Sequence, residues 1–216
     1  MTTHLVRETF AVGPLGCNCS IIGNPATGEA VIVDPGAEPD RVMAALARLG
    51  FRPVAILITH AHFDHVGGLA ELQKTTGVPI HMHEGDRPLY ENLDLQTSLF
   101  GMAPIQTARI DRWAVDGDRV TFGDLVAEVL HTPGHTPGSL SFHVNDATPL
   151  LLTGDTLFSG SVGRSDLWGG DHDTLIRAIR DKLLVFPDDA IVVPGHGPET
   201  TIGIERRYNR FLRIED

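Results

Sequence analysis

Cysteine, positive charge and long apolar runs are all scarce in this chain, and each shortage closes off a class of function. Cysteine occurs only as Cys17 and Cys19, inside the stretch GCNCSIIG. One intervening residue strains a disulfide, and the spacing does not match the usual zinc knuckles. The pair therefore reads as small, partly buried strand residues in a reducing cytoplasm. Lysine and arginine number 17 against 28 acidic residues, a formal net charge of −11. Phosphate binding needs clustered cations, so nucleic acid is not an expected partner, and an anionic membrane surface is equally unsuited. No apolar run approaches the ~18 residues of a membrane span. The opening MTTHLVRETFAV has no basic segment leading into an apolar one, so no secretory signal is expected and the location reads as cytoplasmic.

What remains is an ordinary globular balance, with 42% hydrophobic and 21% charged residues over 216 positions. No repeat, low-complexity tract or linker divides residues 1–216, which are read as a single domain. CSIIG and EAVIVDPG are β-branched runs bounded by turn signals and predict strands. DRVMAALARLG places Val42, Leu46 and Leu49 at helical spacing, closed by Gly50. PVAILI predicts a strand apolar on both faces, HVGGLAELQKTTG a second helix, and VPIHMH a short strand. A short helix is expected in EGDRPLYENL, then an irregular loop through FGMAPIQTA. Strands follow in RVTFGDLVAEVLHTPG, GSLSFHVN and PLLLTGD, then an amphipathic helix in DHDTLIRAIRDKLLVF. AIVVPGHG is a last strand and loop, and GIERRYNRFL a terminal helix. Two similar sets of alternating strands and helices suit sheets stacked centrally with helices outside.

The 11 histidines are not scattered evenly. THAHFDH, HTPGHTPGS, LLTGDT and VVPGHG each end a predicted strand in a polar loop, where rigid scaffolds present functional side chains. Residues i and i+2 of an extended segment share a side, so His60 and His62 can grip one ion. Asp64 and His65 come where the chain turns into a helix and can fan toward a second. Prolines and glycines around His135 hold one imidazole in place. Asp155 ends an apolar strand, where a carboxylate is costly unless paired or metal-bound. His196 is flanked by glycines that allow close backbone approach. Mixed imidazole and carboxylate donors suit zinc, iron or manganese better than calcium or magnesium. His81 and His83 imitate the i, i+2 spacing but lack a glycine-rich site loop and are not expected to ligate. His131 is placed as support for the His135 loop, and His4, His143 and His172 as structural or surface residues.

Together, THAHFDH, HTPGHTPGS, Gly154-Asp155 and GHG at 195–197 resemble the motif series of the metallo-β-lactamase superfamily, in order and spacing from about Asn18 to Phe211. The resemblance implies an α/β fold, an αββα four-layer sandwich with the metal site along one edge of the stacked sheets. It implies two divalent metal ions, zinc by preference with iron or manganese as alternatives. His60, His62 and His135 would hold one ion, Asp64, His65 and His196 the second, and Asp155 would bridge them; catalytic roles fall to Asp64 and Asp155. Exported β-lactamases differ from this pattern at the positions of His65 and Asp155. Superfamily nucleases carry a further nucleic-acid-binding domain.

Within the superfamily the likeness runs to the glyoxalase II group, hydrolases of hydroxyacyl-glutathione thioesters such as S-lactoylglutathione. Arg164 in GSVGRSDL matches the basic residue that anchors glutathione there. Glyoxalase II proper has a longer helical C-terminal region and an aromatic residue after the last histidine. This chain reads GHGPETTIGIERRYNRF instead and resembles the short bacterial-type members. The implied reaction is hydrolysis of a small-molecule thioester or thiol-derived substrate by a metal-bridging hydroxide. GRSD is also similar to the GRTD of the persulfide dioxygenases, which use one iron, so a mononuclear non-haem iron dioxygenase is the alternative. A non-catalytic metal-binding module ranks below both.

Overall fold

The computed structural model describes residues 4–213. The first half of the chain builds one six-stranded sheet in sequence order: β1 (Val6–Val12), β2 (Cys17–Asn24), β3 (Glu29–Val33), β4 (Arg52–Leu57), β5 (Ile80–Met82) and β6 (Arg112–Trp113). β1, β2 and β3 run antiparallel, and β3 through β6 run parallel. Parallel neighbours need crossovers. These are α1 (Pro39–Leu49), then α2 (Phe63–Val66) with α3 (Leu69–Thr76), then α4 (Arg87–Tyr90) with α5 (Leu93–Leu99).

The second half supplies β7 (Arg119–Phe122), β8 (Leu125–His131), β9 (Leu140–Val144) and β10 (Leu150–Gly154). A small hairpin, β11 (Leu157–Phe158) and β12 (Ser161–Val162), leads to α6 (His172–Ala178). β13 (Ile191–Pro194), β14 (Thr200–Thr201) and α7 (Ile202–Tyr208) complete the described chain. The second sheet has the order β14-β13-β10-β9-β8-β7, with β10 and β13 parallel.

Strand alternation sorts the apolar residues into layers. Ile21, Ile32 and Ile56 pack outward against Val42 and Leu46 of α1 and Leu69 and Leu72 of α3. Their neighbours Ile22, Val31 and Leu57 face inward and meet Phe122, Val129 and Phe142 of the second sheet. On the far side, Leu151 and Val192 pack against Leu175 of α6 and Ile202 of α7. Each such side chain, fully buried, contributes about 1.5–3 kcal/mol. The result is the expected αββα sandwich.

Several local expectations shift. The stretch HVGGLAELQKTTG forms two helices, not one, broken at Gly67-Gly68. A Cβ on Gly67 would lie 2.6 Å from the Gly36 carbonyl oxygen, so the break lets two loops approach. The helix expected across DHDTLIRAIRDKLLVF ends at Ala178 and continues as a π-helical turn over Ile179–Leu183. The terminal helix is confined to Ile202–Tyr208. VRETFAV, not anticipated as a strand, pairs along its whole length with β2 from Val6↔Gly23 to Val12↔Cys17. Among the described residues no helix is long and apolar enough to cross a membrane.

Candidate metal centre

Parallel strands β3 and β4 end at the same edge of the sandwich as parallel β10 and β13, and the loops beyond them carry the candidate ligands. After β4 the chain stays extended through His60 to His62, which caps α2; Asp64 and His65 lie in that helix's first turn. The His60 Nε2 and His62 Nδ1 atoms are 3.0 Å apart. His135, from the loop between β8 and β9, brings its Nε2 to 3.2 Å from His60 Nε2 and 3.0 Å from His62 Nδ1. Three ring nitrogens so placed point lone pairs at one another, an arrangement a shared cation relieves. Tetrahedral zinc with ~2.05 Å bonds sets ligand nitrogens about 3.4 Å apart.

A second group forms beside the first. His196 Nε2 lies 3.3 Å from His65 Nε2 and 3.1 Å from Asp64 Oδ2. Asp155 stands between the groups: Oδ1 is 3.5 Å from His65 Nε2, while Oδ2 is 3.7 Å from His135 Nε2 and 3.8 Å from His196 Nε2. Its Oδ1 is buried without a hydrogen-bond partner among the described residues. Such an oxygen is costly unless a cation meets it. A Cβ on Gly195 would fall 2.2 Å from that oxygen, so only glycine fits there. All seven sequence-predicted ligands converge in this way, as three overlapping groups able to hold metal. The donor set fits two transition-metal cations.

Surrounding groups fix which nitrogen each ring offers. His135 Nδ1–H donates to the Arg164 carbonyl at 2.7 Å, and His196 Nδ1–H to the Leu15 carbonyl at 3.1 Å. The Thr59 hydroxyl donates to Asp34 Oδ2 at 2.6 Å and so accepts from His60 Nδ1 at 3.0 Å. His65 Nδ1–H donates to Asp34 Oδ2 at 3.0 Å. In all four rings Nε2 is the nitrogen that faces the centre, whereas His62 faces it with Nδ1.

Electrostatics prepare the donors. Burial, together with the neighbouring imidazoles, holds His60 neutral far below the ordinary histidine range. Burial and then His135 bring His62 down to about 3. Neutral rings are the form that binds metal. Burial would raise the Asp64 carboxyl, but His65 and His196 outweigh it and bring it down to about 2. For His65 and His196 burial again favours the neutral ring. It is outweighed around His65 by the Asp155, Asp34 and Asp64 carboxylates, and around His196 by Asp64 and Asp155, so both are raised.

Two acidic residues that sequence reasoning missed organise this cluster. Asp34, at the end of β3, adopts a left-handed φ of 47°, strain tolerated where function requires it. Besides its contacts to His65 and the Thr59 hydroxyl, it accepts the Thr59 backbone N–H at 2.8 Å. Asp86, 0% exposed, accepts hydrogen bonds from Ala61, Thr136 and Gly138. The strand-end position of Asp34, before Pro35-Gly36, resembles that of Asp155 and was the available signal. Asp86 gave none beyond a turn-forming residue.

The other histidines stay outside. His83 stacks on His131 with ring centroids 4.1 Å apart and accepts from the Gly85 N–H, and His81 lies half-buried in β5. His131 Nε2–H donates to the Pro137 carbonyl, supporting the His135 loop as expected. His4 is exposed beside Asp146, His143 sits beside Glu128, and His172 begins α6. Cys17 and Cys19 are buried free thiols on β2, and burial pushes Cys17 up to about 11. Arg164 enters the centre through its carbonyl. Its guanidinium, at the cavity mouth, makes a forked pair with Asp166 at 3.0 Å on both contacts.

The family model described as the metallo-beta-lactamase superfamily matches residues 12–196. The chain belongs to that superfamily. As a metallo-beta-lactamase superfamily member it is 41% identical to the hydroxyacylglutathione hydrolase GloC of Haemophilus influenzae, over 95% of this chain and 97% of that one. It resembles the crystal structure of BLEG-1 B3 metallo-beta-lactamase with a TM-score of 0.88 and 40% identity, covering 96% of this chain and 99% of that one. It also resembles TTHA1623 in a di-iron-bound form, with a TM-score of 0.84 and 41% identity over 95% and 100% of the two chains.

Proposed function

We propose that this protein is a binuclear metal-dependent thioester hydrolase of the hydroxyacylglutathione hydrolase type. The observation that carries the reading is the complete donor set, with the partnerless Asp155 Oδ1 between two ligand groups. When bound, two divalent cations supply a nucleophile from water at neutral pH and polarise the scissile carbonyl. Zinc is the proposed metal, and the di-iron form of TTHA1623 keeps iron as the alternative.

The chain's own residues do the rest. Asp34 and the Leu15 and Arg164 carbonyls orient the imidazoles, so little reorganisation is needed during turnover. The side chains of Asp64 and Asp155 face the centre between its imidazoles. A cavity of about 490 Å³ opens over His62, Asp64, His135, Asp155 and His196, and its walls shield the reacting carbon from bulk water. The leaving thiolate, of ordinary pKa about 8.5, departs without an acid from the chain. Arg164 is proposed to take a carboxylate of the thiol carrier in exchange for Asp166. A small thioester is thus the proposed partner, and the two free thiols support a cytoplasmic location.

Likeness to GloC supports the thioester; likeness to BLEG-1 makes a β-lactam amide the competitor. Metal-loaded protein is expected to release thiol from S-lactoylglutathione or a simpler acyl thioester without consuming oxygen. Cleavage of β-lactams but of no thioester overturns this, as does stoichiometric oxygen uptake with glutathione persulfide at one iron per chain.

A further inference from the structure

The cavity over the metal centre is walled by Leu15, Phe63, Leu89, Phe100, Phe158 and Leu167. At its rim Leu99 is 79% exposed and Phe100 60%, and the Phe100 ring tilts against Phe63 at a centroid distance of 5.0 Å. Large apolar side chains held in water around a ligand-sized cleft mark a surface that an apolar ligand covers.

Away from the candidate ligands, the polar side chains of the walls are partly engaged within the protein. Gln96 accepts the Phe63 N–H at 3.1 Å and donates to the Ala61 and Leu89 carbonyls at 3.1 and 2.9 Å. Its amide thus acts as a strut between α2 and α5. Ser161 Oγ donates to the Val162 carbonyl at 3.4 Å, and the Arg164 guanidinium is forked to Asp166. Along Phe63, Leu89 and Phe100 the wall is therefore apolar.

We infer that the acyl part of the substrate is an aliphatic chain, its carbonyl carbon at the metal centre and its tail along the Phe63–Phe100 wall. This rests on the thioester-hydrolase reading of the same centre. In the reaction, a water oxygen bonds to the carbonyl carbon and the C–S bond breaks with its electron pair on sulfur. The thiolate takes up a proton, leaving an aliphatic carboxylate and a free thiol.

The test uses the full metal-loaded chain with acetyl, butanoyl, hexanoyl and octanoyl thioesters of one small neutral thiol. In parallel, calorimetry measures binding of butanoate, hexanoate, octanoate and decanoate, which requires no turnover. Each methylene is expected to raise kcat/KM, and to lower Kd, by about fourfold, the equivalent of about 0.8 kcal/mol of transfer. Phe100→Ala should reduce both slopes to about twofold or less, while Val185→Ala, at an exposed position away from the cavity, leaves them intact. Thioesters cleaved with no dependence on chain length would overturn the aliphatic site and leave the hydrolase reading standing. A steep carboxylate series with no thioester cleaved would uphold the aliphatic site and overturn the hydrolase. Carboxylates bound with no length dependence, or a slope that Phe100→Ala leaves unchanged, would also overturn the site.

Discussion

Asp86 accepts the Thr136 hydroxyl at 2.8 Å, and through this contact one side chain joins the two sheets' metal-binding loops. The same carboxylate accepts the Ala61 N–H at 2.9 Å and the Gly138 N–H at 2.6 Å. Ala61 stands between His60 and His62, and Thr136 directly follows His135. Asp86→Ala would leave the Ala61 and Gly138 N–H groups without their acceptor, and Asp86→Asn would turn an amide N–H against one of the donors. Both variants should weaken zinc binding about 10–100-fold, as loss of groups that hold ligands in place does. Competition with a chromophoric chelator reads this, and the absorption spectrum of the cobalt form should change as well. Wild-type affinity in a folded Asp86→Asn protein would show that the staple does not position the ligands.

Asp155 and His83 provide a contrast between ligand and decoy. Asp155→Ala should reduce metal content and abolish turnover, since its carboxylate faces both ligand groups. His83→Ala removes only a stacking partner of His131 and should leave both quantities nearly unchanged. Elemental analysis of the two purified variants decides the matter. Equal metal loss in both would place His83 within the centre's support.

Arg164 is 67% exposed and already paired with Asp166, so any substrate carboxylate it grips replaces one already there. Exposed exchanges of this kind are small. Arg164→Ala should therefore raise KM for a carboxylate-bearing thioester by about threefold, with kcat little changed. For a neutral thioester it should behave as wild type. Asp166→Asn, which frees the guanidinium, should lower KM for the anionic substrate. Equal losses on both substrates would mean that Arg164 supports its loop instead.

Asp111 gives the fold a defined acid sensitivity. Burial would raise its carboxyl, but the Ile80 N–H, Arg109 and Gln73 outweigh it and hold it below the usual carboxylate range. A depressed folded pKa contributes stability that is fully present above the unfolded value of about 3.9. That contribution is lost as pH falls through the folded value. Asp111→Asn should thus lower Tm at pH 7, and the gap from wild type should narrow on acidification below about pH 4. A gap that is constant with pH would remove the charge from the explanation.

The seven residues that converge could be picked out in the sequence because each sits at or just past a strand end, in a motif whose residue types serve little other purpose. Asp34 shared that strand-end signal, but Asp86 showed none. The partners of both lie 25 to 52 positions away. Only the stacking of the two sheets brings those partners together. The layer order followed from alternation, since Ile21 and Ile22 on one strand face opposite cores. β1 escaped notice because its VRETFAV pattern carries adjacent charges on a half-buried edge strand. The helix break at Gly67 was hidden for a related reason: it answers to the Gly36 carbonyl, which approaches from another loop.

The central claim is that two cations, held by two ligand groups sharing Asp155, are needed for thioester hydrolysis. The most direct measurement is titration of the metal-stripped protein with zinc while following thiol release from an acyl thioester. Activity should climb until two equivalents per chain are bound and then level off. A plateau at one equivalent, with the second producing no further gain, would contradict the account.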